Sequence, residues 1–194
     1  MKKEDFSKEM QKYWKEWVPS ECVVFNSCKY DNMVLSNFWP CAIWYNGRRF
    51  ESVDMLFDWR KIEMYGGDDK EKMKKRVVSY GGINNALKLK KDGVLKKYFD
   101  GIKNRGIEKY GEYGWLIEEC KLLCDCVELK YKFCKEYRDK IRECIGKGIV
   151  ESTPWGDYRF GAVWNSEKKC YEGLNMSGRC AMRMMNRYKG EEIR

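Results

Sequence analysis

Apolar side chains recur at helical spacing at the N-terminal end, where Phe6, Met10, Tyr13, Trp14 and Trp17 share one face until Pro19 stops the run. The pattern predicts an amphipathic helix over residues 1–21, packed on a domain of residues 22–194. From Cys22 to Phe50 β-branched and aromatic residues replace that period, and Asn46-Gly47 marks a tight turn between residues 41–45 and Arg48–Phe50, so short strands or extended loops are expected. Ser52 has the position of an N-cap for a helix that reaches Tyr65 and stops at Gly66-Gly67. A Lys-studded helix over residues 68–80, closed by Gly81-Gly82, is followed by short helices over residues 84–91 and 94–102, with Gly93 and Gly101 as punctuation. Residues 113–144 repeat apolar positions near period 3.6, including Trp115, Leu116, Leu122, Leu123, Val127, Tyr131 and Cys134, with one break expected near residues 134–136. After Gly146 and Gly148 residues 149–155 read as extended, and a final helix begins close to Gly178 and reaches Tyr188. Strands do not alternate with helices as in a dinucleotide-binding sheet, so the fold class is mainly α with minor β.

Composition narrows this reading. A chain of 194 residues with 43% hydrophobic and 36% charged positions can bury one proper core and is too apolar to stay disordered. No run approaches the roughly 20 apolar residues that cross a bilayer, and residues 1–17 carry frequent charges where a signal peptide would be apolar, so a cytoplasmic protein with no membrane partner is expected. In that compartment the ten cysteines stay reduced. Cys120, Cys124 and Cys126 lie in a helical pattern, without a histidine anywhere in the chain or a paired C-x-x-C, so they read as small buried hydrophobes and no metal is expected. The net charge is +9, and residues 60–110 hold fifteen Lys or Arg against seven Asp or Glu, a local +8. Such clustering fits an anionic partner, nucleic acid or a phosphate-bearing ligand, and equally a solvated helical face.

Three stretches carry candidate chemistry. Asp54, Asp58 and Lys61 stand at i, i+4 and i+7 behind the Ser52 cap and project from one helix face, as an acid/base pair beside an amine or as an ion-pair ladder. Residues 153–161, Thr-Pro-Trp-Gly-Asp-Tyr-Arg-Phe-Gly, form an aromatic loop with one Asp, suited to stacking on a base or to tight turns. Residues 173–178, Gly-Leu-Asn-Met-Ser-Gly, lead into a helix whose N-terminus offers N–H groups to a phosphate.

The order of these motifs is informative. Leu35-Ser36-Asn37-Phe38, Gly47, Phe50-x-Ser52-Val53-Asp54, Lys61, Lys132-Phe133, Glu151-Ser152, Asp157-x-x-Phe160-Gly161 and Gly173-x-Asn175-x-x-Gly178 together resemble the NADAR (YbiA-like) pattern over most of the chain. The resemblance implies a compact, single-domain, mainly α YbiA-like fold that hydrolyses N-glycosidic bonds to ribose. Its substrates would be ADP-ribosylated guanine in nucleic acid or, as the alternative, ribosylamino-pyrimidine intermediates of riboflavin synthesis. No cofactor is implied. Asp54 stands where the family usually has Glu, Met55 replaces a His, Asp58 a Gln, and Phe160 a Trp, which leaves open a non-catalytic module that binds ADP-ribose or NAD.

Cleaving C1′–N needs an acid for the leaving nitrogen and an anion or nucleophile near C1′. On the resemblance these roles fall to Asp54 and Asp157. Lys61 would hold an anion or attack an opened ribose as a Schiff-base amine. Asn37 and Asn175 would bond ribose hydroxyls or the base, Trp155 or Tyr158 would stack on it, and Phe38, Phe160, Gly161 and Gly178 would complete the wall. This arrangement requires the first turn after Ser52 to meet the loop near Trp155.

Overall fold

A computed structural model describes residues 3–26, 32–80 and 86–188. In chain order the elements are α1 (Lys8–Gln11), β1 (Lys15–Trp17), β2 (Cys22–Phe25), β3 (Ile43–Tyr45), β4 (Arg48–Phe50), α2 (Val53–Tyr65), α3 (Lys70–Val78), α4 (Ala86–Lys91), α5 (Gly93–Phe133), α6 (Lys135–Glu143), β5 (Gly148–Glu151), β6 (Val163–Asn165), β7 (Cys170–Gly173) and α7 (Met176–Tyr188). Helix dominates and the strands are short, which fits the mainly α expectation loosely. No helix among the described residues is long and apolar enough to cross a membrane. The chain divides into two compact units, residues 38–134 and residues 1–37 with 135–194.

In residues 38–134 the local signals act as expected. Asn46 and Gly47 both have positive φ, 48° and 71°, and close a hairpin in which Tyr45 pairs with Arg48 and Ile43 with Phe50. The Ser52 side chain accepts the Met55 N–H at 3.3 Å to cap α2, and the Gly66 N–H returns to the Ile62 carbonyl at 2.8 Å to end it. Leu56 and Ile62 are fully buried, and Trp59 packs edge-on against Phe50. Tyr65 meets Trp115 edge-on, and Arg60 reaches Asp125, so α2 is laced to α5 along its length.

One expectation about the long helical region changes. Gly101 does not interrupt the chain; helical structure runs from Gly93 to Phe133, broken at Gly111, where φ is 72°. In a straight helix residues nine apart lie about 13 Å apart. The Trp115 ring nonetheless lies where a Cβ on Gly106 would stand, so the chain doubles back at Gly111 and Gly106 makes room for the indole. The second break falls at Cys134, as the periodicity predicts, and α6 follows. The expected stop at Gly81-Gly82 and the start of the next helix at Asn84 lie outside the described residues.

In the other unit the N-terminal expectation is corrected. Among described residues 3–21 only α1 is α-helical, with 3-10 turns at Lys3–Asp5 and Pro19–Glu21; Trp17 belongs to a strand whose residues pair with β7, Lys15 with Gly173 and Trp17 with Tyr171. Ladder hydrogen bonds to β7 outweigh the helical period, and the stripe divides. Phe6, Met10 and Trp17 are buried, Trp14 stacks on Tyr158, and Tyr13 is exposed. The three-stranded sheet runs β1-β7-β6, β2 pairs in parallel with β5, and Trp17, Val150 and Ala162 form a core cluster. α7 packs on β5 and α6.

The join of β5, the 153–161 loop and α7 is held by Asn175. Its backbone sits at φ 51°, which Asn tolerates, and its amide donates to the Ile149 carbonyl at 2.9 Å and accepts the Glu151 N–H at 3.0 Å. Gly178 lies where a Cβ would collide with the Ile149 carbonyl and the Asn175 amide. The Gly-x-Asn-x-x-Gly spacing is therefore a packing device. Replacing Asn175 with Ala leaves two buried backbone groups without partners and is expected to destabilise the protein by about 2–4 kcal/mol. Urea unfolding of the variant checks this, and an unchanged midpoint contradicts it.

Candidate functional site

On α2 the cap places Asp54 in the first turn and Asp58 one turn later, both buried. Their common partner is a residue that the sequence pattern did not single out. The Lys90 ammonium, from α4, lies 3.1 Å from Asp54 Oδ1 and 2.8 Å from Asp58 Oδ2. Burial would depress this amine, but the two carboxylates overcome that and hold its proton more tightly than usual. Asp54 keeps one oxygen to spare: Oδ2 is buried and has no hydrogen-bond partner among the described residues.

One ammonium cannot neutralise two carboxylates in a dry place. Burial raises Asp54 from 3.8 to about 6; Lys90 opposes the rise, and the Asp58 charge adds to it. Asp54 is thus the member of the pair that takes up a proton near neutrality. Its free Oδ2 then becomes a hydroxyl able to donate to a ligand, and after ionisation an acceptor. A carboxyl with that combination has what acid/base chemistry requires.

Lys61 still lowers the titration of the Asp54 carboxyl through its charge, but its ion-pair partner is a different residue. The i+7 spacing puts it on the same helix, but its ammonium pairs with Glu119 of α5 at 3.1 Å and lies over the Phe57 ring at 4.3 Å and the Phe99 ring at 5.4 Å. The expected ladder of Asp54, Asp58 and Lys61 therefore splits into two ion pairs served by Lys90 and Glu119. Neither partner was visible in the sequence, because Lys90 is one of several lysines in a row and Glu119 sits beside Glu118 within an ordinary helical repeat. Phe38, in the same unit, is half-buried.

The remaining sequence candidates belong to the other unit. The Asn37 amide donates to the Ser177 hydroxyl at 3.1 Å. Asp157 folds the aromatic loop, its Oδ1 accepting the N–H groups of Arg159 at 2.9 Å and Phe160 at 3.1 Å, while Thr153 donates to its carbonyl. Trp155 stands at the loop tip, 55% exposed, so its faces are open to a flat ligand. Tyr158 instead spends one ring face on Trp14, with centroids 5.2 Å apart. Phe160 is half-buried beside the Arg159 guanidinium, and Gly161 sits where a Cβ would strike Thr153 and the Glu151 carbonyl.

Two of the expected ligand roles are corrected here. The first N–H groups of α7 do not wait for a phosphate: Met176 donates to the Arg159 carbonyl at 3.1 Å and Ser177 to that of Phe160 at 2.9 Å. The Asn175 amide is likewise fully used on β5. Asn175 and Gly178 thus hold β5 and α7 together.

The Asp54 shift has a direct consequence for stability. Its folded value lies above its unfolded one, so the folded chain binds this proton more tightly. The ionised carboxylate then costs stability above about pH 6, and the cost fades as pH falls toward the unfolded value near 4. Asp54→Asn is expected to stabilise the protein by about 1–3 kcal/mol at pH 7.5 relative to wild type, the advantage shrinking by pH 4. Paired denaturant titrations at the two pH values check the sign; a variant less stable at pH 7.5 than at pH 4, relative to wild type, contradicts it.

No family model matches the chain, and no curated protein matches it in sequence. Among solved structures the chain is similar to the NMR structure of the E. coli protein YbiA, with a TM-score of 0.60 and 16% identity, over 89% of this chain and 87% of that one. At that identity the likeness concerns the fold, which is YbiA-like.

Proposed function

We propose that the protein is an N-glycoside hydrolase that cleaves a ribose C1′–N bond, with ADP-ribosylated guanine in nucleic acid as the substrate. The reading rests above all on Asp54: a buried carboxyl that titrates near 6 and holds one oxygen free beside the contact of Lys90 with Asp58. The YbiA-like fold and the ordered motifs of the sequence support the same reaction class.

The chemistry follows from what a departing base needs. Protonated Asp54 gives its proton to the leaving nitrogen as the C1′–N bond breaks, so the base departs neutral. Positive charge develops on the sugar, and water adds its oxygen to C1′ while its proton returns to the carboxylate. Asp58, one turn further along α2, shares the Lys90 ammonium with Asp54. The ion pair of Lys61 with Glu119 suits a charged amine, which favours holding a phosphate over attack on an opened ribose. By the resemblance of the sequence, Asp157 is the candidate for a second carboxylate and Trp155 for a stacking surface. Asp54 is one methylene shorter than the family's Glu, so the substrate nitrogen has to come closer to α2.

Hydrolysis of an ADP-ribosylated guanine oligonucleotide tests the proposal. Asp54→Asn is expected to lose about 100-fold or more in kcat/KM, and the wild-type rate is expected to fall as pH rises through about 6, where the acid loses its proton. Lys61→Met and Asp157→Ala should each lose at least about tenfold. Undiminished turnover in all three variants contradicts the assignment. Turnover of a ribosylamino-pyrimidine phosphate in place of the oligonucleotide favours the metabolite reading, and tight binding of ADP-ribose without any turnover favours a binding module.

A further inference from the structure

Among the described residues, exposed lysines without an ion pair stand singly at positions such as Lys12, Lys147 and Lys169, but they gather along α3, α4 and α5. Lys121, Lys135, Lys140 and Lys168 each reach a carboxylate at 2.6–2.9 Å. By contrast Lys72, Lys75, Lys88, Lys91, Lys96 and Lys97 are all exposed and have no ion pair among the described residues. Residues 70–109 hold thirteen Lys or Arg against four Asp or Glu, a net +9 that equals the charge of the whole chain.

The helices that carry these six lysines are joined at Asp92. Arg76 of α3 pairs with Asp92, and the Tyr80 hydroxyl donates to the same carboxylate at 2.7 Å. The other Asp92 oxygen caps α5 by accepting the N–H groups of Val94 and Leu95. Asp92 therefore ties the end of α3 to the start of α5, and α4 enters the same point directly before it. Lys90, also on α4, is paired with Asp54 and Asp58. Unpaired Lys88 and Lys91 thus lie on the same helix that completes the Asp54 group.

We propose that the junction of α3, α4 and α5 is a docking surface for the sugar–phosphate backbone of a nucleic acid, read through the unpaired lysines around Asp92. Exposed unpaired lysines repel one another, so their concentration here has a cost that a polyanion relieves. A membrane surface is the poorer fit. An interfacial helix needs an apolar face beside its basic one, whereas Met73, Val77, Leu89 and Leu95 of these helices are turned inward and buried. A small phosphate ester is also a poor match, since one or two phosphates engage few of the six lysines. The inference deepens the hydrolase reading by choosing a polynucleotide over a metabolite as the carrier of the glycosidic bond.

Binding of an unmodified, labelled single-stranded DNA of about 20 nucleotides separates this inference from the hydrolase reading, because no turnover is required. Anisotropy titrations between about 50 and 300 mM salt should give a steep salt dependence for wild type. The variant carrying Lys88→Gln, Lys91→Gln, Lys96→Gln and Lys97→Gln should lower the slope by about three and weaken binding about 100-fold at 0.1 M salt. A control with Lys121, Lys135, Lys140 and Lys168 changed to Gln should stay within about threefold, and the quadruple Lys→Arg variant at the docking positions should keep wild-type binding, with unchanged thermal melting of the Gln variant excluding misfolding. The inference is overturned by equal losses in the two Gln variants, by no measurable wild-type binding, or by stronger wild-type binding to phosphatidylserine vesicles than to DNA. DNA binding with these properties but no glycosidase activity leaves the docking surface standing and removes the hydrolase reading.

Discussion

The ammonium of Lys90 stands between two carboxylates of one helix face, at 3.1 and 2.8 Å, in a place where water is excluded from both acids. Three charged groups share two opposite signs there, and the arithmetic leaves one negative charge more than burial tolerates. A proton on Asp54 relieves it. From this one imbalance follow the raised titration of Asp54, the hydroxyl it presents through Oδ2, and its fitness to donate near neutral pH. Removing Lys90 would leave two like charges facing each other; removing Asp58 would let Lys90 neutralise Asp54 and lower its titration. The acid depends on both neighbours, and neither has to touch a substrate.

Much of the scaffold that holds this group was legible in local sequence chemistry. Asn46-Gly47, the Ser52 cap and the Gly66 stop act within a few residues of themselves, and each is found where its residue type predicts. The N-terminal stripe misled because its aromatic residues satisfy a helical period and a strand equally well, and pairing with β7, more than 150 residues away, decides between them. Gly101 misled in the opposite sense. Glycine normally weakens a helix, but at Gly106 the helix continues because the Trp115 ring needs the vacant Cβ position, and the chain turns at Gly111 instead.

The candidate site shows the same division between local and distant causes. Spacing alone put Asp54 and Asp58 on one face, and the structure keeps them there. Their cation is another matter: Lys61 is close in sequence, but Glu119 draws it away, while Lys90 arrives from a different helix. The motif around Asn175 had the form of a ligand-binding loop and proves to be a clasp between β5 and α7. A side-chain amide that mimics the backbone leaves the same trace in a sequence whether its partner is a ribose or a strand, so only the bond from Asn175 to the Ile149 carbonyl separates the two.

The central claim is that Asp54 offers its free oxygen to a ribosyl nitrogen. A crystal structure of the protein with bound ADP-ribose tests this most directly. The account predicts the C1′ carbon within about 4 Å of Asp54 Oδ2, close enough for that oxygen to reach the leaving atom. ADP-ribose bound with C1′ remote from Asp54, or an Asp54 still without any ligand contact, would contradict it.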